Sequence, residues 1–413
     1  MTLITEAPES VGMSAQRLER IKPVMQSYVN QRGFAGVSTM IARRGRIVHF
    51  DQVGWRDKEA QLPMTADTIV RIYSMTKPVV CTALMMLYEE GRFQLLEPVA
   101  KYLPAFGGVK VLAADGTLID PVRPITIRDL MAHTSGLTYD FLEDSPVAEL
   151  YRQARLMSDG TRSLEAVIGE LARLPLAYQP GSRWHYSLGI DVAAHLIQVL
   201  SGQPLGVFLH ERVFAPLGMV DTAFGVPEAQ RGRLAAMYGH PDIAGENISI
   251  SHLVQAFMTG DNQRRDLSAT YPANAPKVFQ RGGHGLFSTA QDYIRFAQML
   301  LNGGQLDDVR LIGRKTLELM HTNHVPAALL PIDIAGLPNP GLGFGLGSRV
   351  ALNMAEMAVP GSVGEYGWSG AAKTYYWVDP KEELIGLLLT QYMFNFDLIE
   401  QDFRVLAYQA IVD

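Results

Sequence analysis

The stretch AAKTYYWVDPKEELIGLLLTQ, close to the C-terminus, constrains the fold more than any other part of the sequence. Residues 375–378 and 384–390 are aromatic and apolar runs on either side of a turn at Asp379-Pro380, which reads as a β-hairpin. A lone hairpin is marginal in water, so these strands need partners. The other end of the chain offers them. GVSTMIARRGRIVHFDQVGW carries two β-rich runs around a basic, glycine-containing turn at residues 43–46. A helix is expected before it, over residues 14–31, with Leu18, Ile21, Val24, Met25 and Tyr28 on one stripe. A final helix is expected over residues 398–411. The order fits one α/β layer built from both chain ends.

Between the ends the texture changes. From about residue 95 to residue 274, Pro and Gly separate helical segments at 126–133, 164–174 and 190–200, and strand signals are sparse. Residues 260–283 are polar and rich in turn formers, and are expected to form a long surface loop. Residues 289–301 read as an amphipathic helix closed by Asn302-Gly303-Gly304.

Composition narrows the function classes. The 413 residues are 47% hydrophobic and 19% charged, an ordinary globular balance. Lys and Arg number 36 against 42 Asp and Glu, a net charge of −6, so neither nucleic acid nor an anionic membrane is an expected partner. The single cysteine, Cys81, excludes an intrachain disulfide and lies in an apolar run. Glu6 and Glu9 stand where a signal peptide needs an apolar core, and no stretch reaches about 18 apolar residues. A cytoplasmic protein is the expectation.

The chemistry begins in RIYSMTKPVV, where Ser74-Met75-Thr76-Lys77 spells S-x-x-K. Residues three apart share a helix face. Pro78 is tolerated only in a first helical turn, so the helix begins close to Ser74. The free N–H groups and positive dipole end would then lie beside the serine. A serine hydroxyl needs a base, and a lysine serves only where desolvation or another cation lowers its pKa. The N–H of Ser74 could hold an oxyanion. Alone, the motif is as readily an accident of composition.

Two companions change that. Tyr186-Ser187-Leu188 precedes a helix, where a tyrosine hydroxyl can relay protons or can simply be a satisfied core group. Trp368-Ser369-Gly370 reads as a turn leading into the C-terminal hairpin, with Gly370 allowing close approach of substrate and the N–H of Ala371 as a second oxyanion donor. S-x-x-K, then Y-S-x, then W-x-G in this order resembles the serine β-lactamase and penicillin-binding-protein superfamily. The chain looks like its class C branch, specifically the family VIII carboxylesterases and related acyltransferases. ADTIVRIYSMTKPV, ITIRDLMAHTSGL, PGSRWHYS, RGGHGLFSTAQDYIRFAQMLLNGG and GFGLG carry the same likeness, which spans residues 35–390.

The resemblance implies an α/β (α+β) fold with an antiparallel sheet flanked by helices. Residues 1–94 and 284–413 would form the α/β domain and residues 95–283 a mostly helical inserted domain, with the active site between them. It implies Ser74 as nucleophile, with Lys77 and Tyr186 managing the proton and the N–H groups of Ser74 and Ala371 as oxyanion hole. Trp368, Gly370, Tyr139 and His284 would bind substrate, with no metal and no cofactor. Two departures bear on substrate. Trp368 stands where relatives carry Lys-Thr-Gly or a His variant, and Tyr-Ser-Leu replaces Tyr-x-Asn. An indole offers one donor and an apolar face rather than a charge, so a neutral ester with a short acyl chain is expected over a β-lactam or D-alanyl peptide. Acyl transfer, amide cleavage and weak β-lactam hydrolysis remain alternatives.

Lys373-Thr374 lacks the following glycine, although strand alternation would bring Lys373 to the rim beside Ala371. Three rivals fit less well. The nucleophile elbow G-x-S-x-G is matched only as far as Gly367-Trp368-Ser369-Gly370, since Ala371 ends it. His321 and His324 lack a third ligand at a recognisable spacing and read as exposed at a helix end; His133 reads as a turn residue. A non-catalytic binding protein would have no need of Ser74, Lys77 and Tyr186 together.

Overall fold

The computed structural model describes residues 4–245 and 247–413. Its centre is a nine-stranded sheet. The N-terminal part supplies β1 (Ile4–Thr5), β2 (Gly36–Arg43) and β3 (Arg46–Asp57). The C-terminal part supplies β4 (Leu342–Phe344), β5 (Arg349–Ala351), β6 (Tyr366–Gly370), β7 (Thr374–Asp379) and β8 (Leu384–Thr390). The order is β1-β3-β2-β8-β7-β6-β5-β4, with Leu62–Pro63 pairing beside β3. Both expected hairpins form, and they join each other: β2 pairs with β8 from Val37↔Thr390 to Arg43↔Leu384.

Two strand readings need correction. The sheet is antiparallel except at its edge, where β1 runs parallel to β3. The chain between them passes through helices and β2, long enough for a crossover. Trp368-Ser369-Gly370 is not a turn but the end of β6, with Trp368 opposite Tyr376. The two glycines in YGWSG hide the strand from propensity, which here is overridden by pairing on both sides.

Helices cover both faces. Ser14 caps a short helix, Ala15–Leu18, by accepting the Arg17 N–H. The helix expected over residues 14–31 then breaks and restarts as α1 (Ile21–Gln31). Pro23 explains the break, because its ring would clash with the carbonyl of residue 19 in a continuous helix. α2 is Thr76–Glu89, α3 is Ile127–Met131, α4 is Gly189–Ser201, α5 is Ala290–Leu301 and α6 is Ile399–Tyr408. Ile21 and Met25 of α1 and Phe403 and Ala407 of α6 pack against Val37, Ile41, Leu384 and Leu388. Met40, Ala42, Ile385 and Leu387 face the larger core that contains α2 and α5. Covered on both sides, every residue of β2 and β8 is buried, which is why Leu384–Thr390 is almost continuously apolar.

The intervening region carries the expected helical segments as α3, Leu164–Leu171 and α4. Thr126 starts α3 with a capping box closed by Asp129. Residues 260–283 form neither helix nor strand, but they are not a surface loop. Tyr271, Phe279 and Arg281 are buried and anchor the segment against the core, while Asn262, Gln263, Arg264 and Lys277 are exposed. No single helix among the described residues is long and apolar enough to cross a membrane.

Candidate active site

Ser74 lies in a single 3-10 turn, Tyr73–Met75, that runs directly into α2. Pro78 is the third residue of α2, inside the first turn, where its missing N–H costs nothing. The turn is strained: Tyr73 has φ +43°, a left-handed conformation that a bulky residue rarely adopts. Its side chain is held on several sides. The Tyr73 hydroxyl donates to Asp242 Oδ1 at 3.3 Å, and its ring lies 4.9 Å from Tyr271. The Tyr293 hydroxyl donates to the Met75 carbonyl at 2.9 Å.

Two side chains converge on Ser74 Oγ. Lys77 Nζ donates to it at 3.0 Å and also to the Gly283 carbonyl at 2.7 Å. The Tyr186 hydroxyl donates to it at 2.7 Å and accepts from Trp368 Nε1 at 3.4 Å. Lys77 is buried, with Nζ 4.5 Å from the Tyr186 ring centroid and 5.3 Å from that of Tyr139. Aromatic faces attract a cation in such a dry setting.

Gly370 brings β6 against this turn. A Cβ there would sit 2.5 Å from the Ile72 carbonyl oxygen and 2.2 Å from Thr374 Oγ1. The glycine is therefore required by the protein's own backbone rather than only by an approaching substrate. Ala371 follows, its carbonyl fixed by the Phe394 N–H at 2.8 Å. Gly283 has a similar role: a Cβ would meet Asp191 Oδ2 at 2.5 Å and the Tyr139 hydroxyl at 2.6 Å. Asp191, fully buried on α4, accepts the Gly282 N–H at 2.9 Å and so fixes the segment whose carbonyl receives Lys77. Burial raises the Asp191 pKa, with Gly283 N–H, Lys77 and Arg281 opposing.

Ser74, Tyr139, Tyr186, His284, Trp368, Gly370 and Ala371 line one cavity of about 290 Å³, and Lys77 lies beneath Ser74. The structure thus brings every candidate residue to one place. Burial pushes the Tyr139 phenol well above its usual range. His284 is buried with neither ring nitrogen hydrogen-bonded, and burial holds it neutral. Most of the remaining wall is apolar, including Phe141, Ile243, Ile250, Leu337, Phe394 and Phe396. Sequence reasoning missed these, along with Gly283 and Asp191. They come from separate segments of the chain and carry no motif spacing.

Three side-chain readings are corrected. Ala371 to Lys373 form a turn, with Lys373 at φ +59°, so strand alternation does not apply there. Lys373 Nζ instead bonds Glu400 at 2.9 Å and the Asp397 carbonyl. His321 and His324 are not exposed at a helix end. His321 stacks on Tyr366 at 3.5 Å between centroids, and burial pushes its pKa down to about 3. His324 Nε2 lies 2.9 Å from the Leu319 carbonyl. His133 is a turn residue with φ +55°, as read. Among the described residues, no group of three or more His, Cys, Asp or Glu could hold a metal ion.

The chain belongs to the β-lactamase family, whose profile matches residues 21–410. It is 34% identical over 366 residues to an uncharacterised Mycobacterium tuberculosis protein, covering 87% of this chain and 86% of that one. It is 30% identical over 396 residues to Esterase EstB of Burkholderia gladioli, covering 94% of each chain. Among solved structures, EstCE1, described as a hydrolase with promiscuous acyltransferase activity, superposes with a TM-score of 0.77 at 27% identity, over 95% of this chain and 99% of its own. An esterase and a hydrolase with acyltransferase activity are thus among its relatives, and the protein is a serine hydrolase of the β-lactamase fold.

Proposed function

We propose that the protein is a carboxylesterase that works through an acyl-enzyme on Ser74. The observation that carries this reading is the pair of contacts on one oxygen: Lys77 Nζ at 3.0 Å and the Tyr186 hydroxyl at 2.7 Å from Ser74 Oγ. For the attack one member of the Lys77–Tyr186 pair is in its deprotonated form; Ser74 Oγ attacks the ester carbonyl and that member takes the serine proton. The N–H groups of Ser74 and Ala371 hold the developing oxyanion. Collapse of the tetrahedral intermediate breaks the ester C–O bond, and the pair returns the proton to the departing alcohol. Water then attacks the acyl-enzyme and releases the acid. Trp368, Gly370, Tyr139 and His284 shape the space around the acyl group and leaving alcohol.

A short neutral acyl group remains the proposed preference, supported by Trp368 and by walls that offer apolar contact. Acyl transfer is the second reading, favoured by the activity described for EstCE1. It replaces water by an added alcohol in the last step. Two measurements test the proposal: hydrolysis of p-nitrophenyl esters by the wild type and Ser74→Ala, and labelling of Ser74 by a fluorophosphonate. Turnover should vanish in Ser74→Ala with the fold intact, and retained turnover refutes the mechanism. Product analysis with an added alcohol separates esterase from acyltransferase.

A further inference from the structure

A second cavity, of about 390 Å³, is walled by residues 231, 232, 234–237 and 264–267 together with Asp57, Leu62 and Arg71. It shares no lining residue with the active-site cavity. Leu234, Met237 and Leu267 give it an apolar wall, and its charged lining is four arginines against two aspartates. Arg264 is committed to Asp57 at 2.9 Å and reaches Glu59 at 3.7 Å, and Arg265 is committed to Asp261. Asp266 accepts the Ser268 N–H at 2.9 Å. Among the described residues, two guanidinium groups have no carboxylate oxygen within 4.0 Å, Arg71 and Arg231; Asp242 and Asp266 act on Arg71 only from beyond that distance.

Arg71 is the informative one. It is only 8% exposed. Gln391 clamps its backbone, accepting the N–H at 2.9 Å and donating to the carbonyl at 3.0 Å. Its guanidinium packs 5.1 Å from the Phe287 ring centroid and 5.7 Å from that of Tyr271. Its only hydrogen bond among the described residues is a 3.4 Å contact from Nε to the Tyr271 carbonyl, and no carboxylate oxygen there lies within 4.0 Å. Both Nη groups are therefore uncommitted. A buried cation whose carboxylates, Asp242 and Asp266, stay beyond hydrogen-bond reach is incompletely paired, and an oxyanion would accept charge-assisted hydrogen bonds from it. Arg231, exposed at the cavity wall, bonds only the Val226 carbonyl among the described residues, at 3.4 Å from Nε.

We propose that this cavity binds a small molecule bearing a carboxylate or phosphate group, held by Arg71 at its base and Arg231 at its edge, with the organic part on the apolar wall. The test is calorimetric titration of the full chain with inorganic phosphate and, separately, with octanoate. At least one should bind saturably at one site per chain, with a Kd of about 1 mM or below; which of the two binds identifies the class. Arg231→Gln, and Arg71→Lys if it folds, should weaken binding about tenfold or more with ester hydrolysis unchanged in Arg231→Gln. Protein labelled at Ser74 by a fluorophosphonate should bind as before. Absence of saturable binding by both probes overturns the proposal. So does binding that survives Arg231→Gln, or binding lost on Ser74 labelling, which would move the anion to the active-site cavity.

Discussion

Replacing Gly370 by alanine adds one methyl group where the structure has no room for it. The new carbon would lie 2.5 Å from the Ile72 carbonyl oxygen and 2.2 Å from Thr374 Oγ1, against 3.4 Å for ordinary contact. Neither neighbour can yield easily. Thr374 is fully buried and its hydroxyl bonds the Ile72 carbonyl at 3.3 Å. Ile72 precedes the strained Tyr73 turn and its N–H is held by the Leu286 carbonyl at 3.1 Å. The end of β6 and the Ser74 turn must therefore separate by about 1 Å, the shortfall between the clash and ordinary contact. Overpacking of this kind costs about 1–3 kcal/mol of stability.

The catalytic cost should be larger. The Ala371 N–H rides on the displaced backbone, while Ser74 stays with the turn. Misplacement by about 1 Å costs about 10²-fold, and complete loss of one oxyanion donor about 10²–10³-fold in kcat. Steady-state hydrolysis of a p-nitrophenyl ester, with thermal unfolding measured in parallel, provides the assay. Gly108→Ala is the control, since a Cβ there meets nothing within 4 Å. The expected result is a fall of about 10²–10³-fold in kcat for Gly370→Ala and little change for Gly108→Ala. A folded Gly370→Ala protein with kcat within about threefold of wild type would refute the assignment of this edge of β6 to the oxyanion hole.

Tyr186→Phe should keep the fold but lower kcat by about 10²–10⁴-fold, because it removes the hydroxyl that touches Ser74 Oγ at 2.7 Å; steady-state ester kinetics check this. Short-chain p-nitrophenyl esters should be cleaved far faster than a chromogenic cephalosporin, and the reverse order would move the protein toward the β-lactamases. Burial pushes the Asp140 carboxyl from 3.8 up to about 7, with Arg152 opposing. Its protonated folded form then stabilises the protein below about pH 4, and that contribution is lost as pH rises toward 7, by up to about 4 kcal/mol. Asp140→Asn should flatten that part of the stability–pH curve in chemical denaturation. Removing the Glu365 carboxylate, buried between Arg349 and Arg404, should destabilise by about 3–5 kcal/mol in Glu365→Gln, because two arginines lose their common partner.

Both hairpins and their union into one layer were legible because strands buried on both faces need uninterrupted apolar runs, and Leu384–Thr390 has one. The position of α2 was legible from Pro78 alone, since proline restricts where a helix can begin. β6 was not, because Tyr366–Gly370 owes its strand conformation to β5 and β7 rather than to its own residues. Residues 260–283 misled for a related reason. Their composition is that of a loop, and only tertiary packing reveals that Tyr271 and Phe279 are core. At the site, motif order marked Ser74, Lys77 and Tyr186, but spacing carried no sign of the Gly283 carbonyl, of Asp191 behind it, or of the apolar walls. Strain at Tyr73 was equally silent, since a backbone angle is imposed by surroundings that lie far away in the chain.

Charge around the cavity bears directly on substrate. Among the described residues, the lining includes Tyr73, Tyr139, Tyr186 and His284 but no Lys, Arg, Asp or Glu. Burial holds His284 neutral and raises the phenols of Tyr73 and Tyr139 well above the usual range. Lys77 sits below Ser74 with its bonds directed to Oγ and to the Gly283 carbonyl. An anionic substrate entering this space would give up its hydration shell and meet no counter-charge in the wall, which disfavours binding. Lys373, in the turn that includes Ala371, is tied to Glu400. Trp368 is thus one part of a wider arrangement: the groups that could have held a carboxylate are either absent from the wall or already paired. A neutral ester pays no such penalty, and its carbonyl oxygen gains charge only in the transition state, where the N–H groups of Ser74 and Ala371 are proposed to meet it.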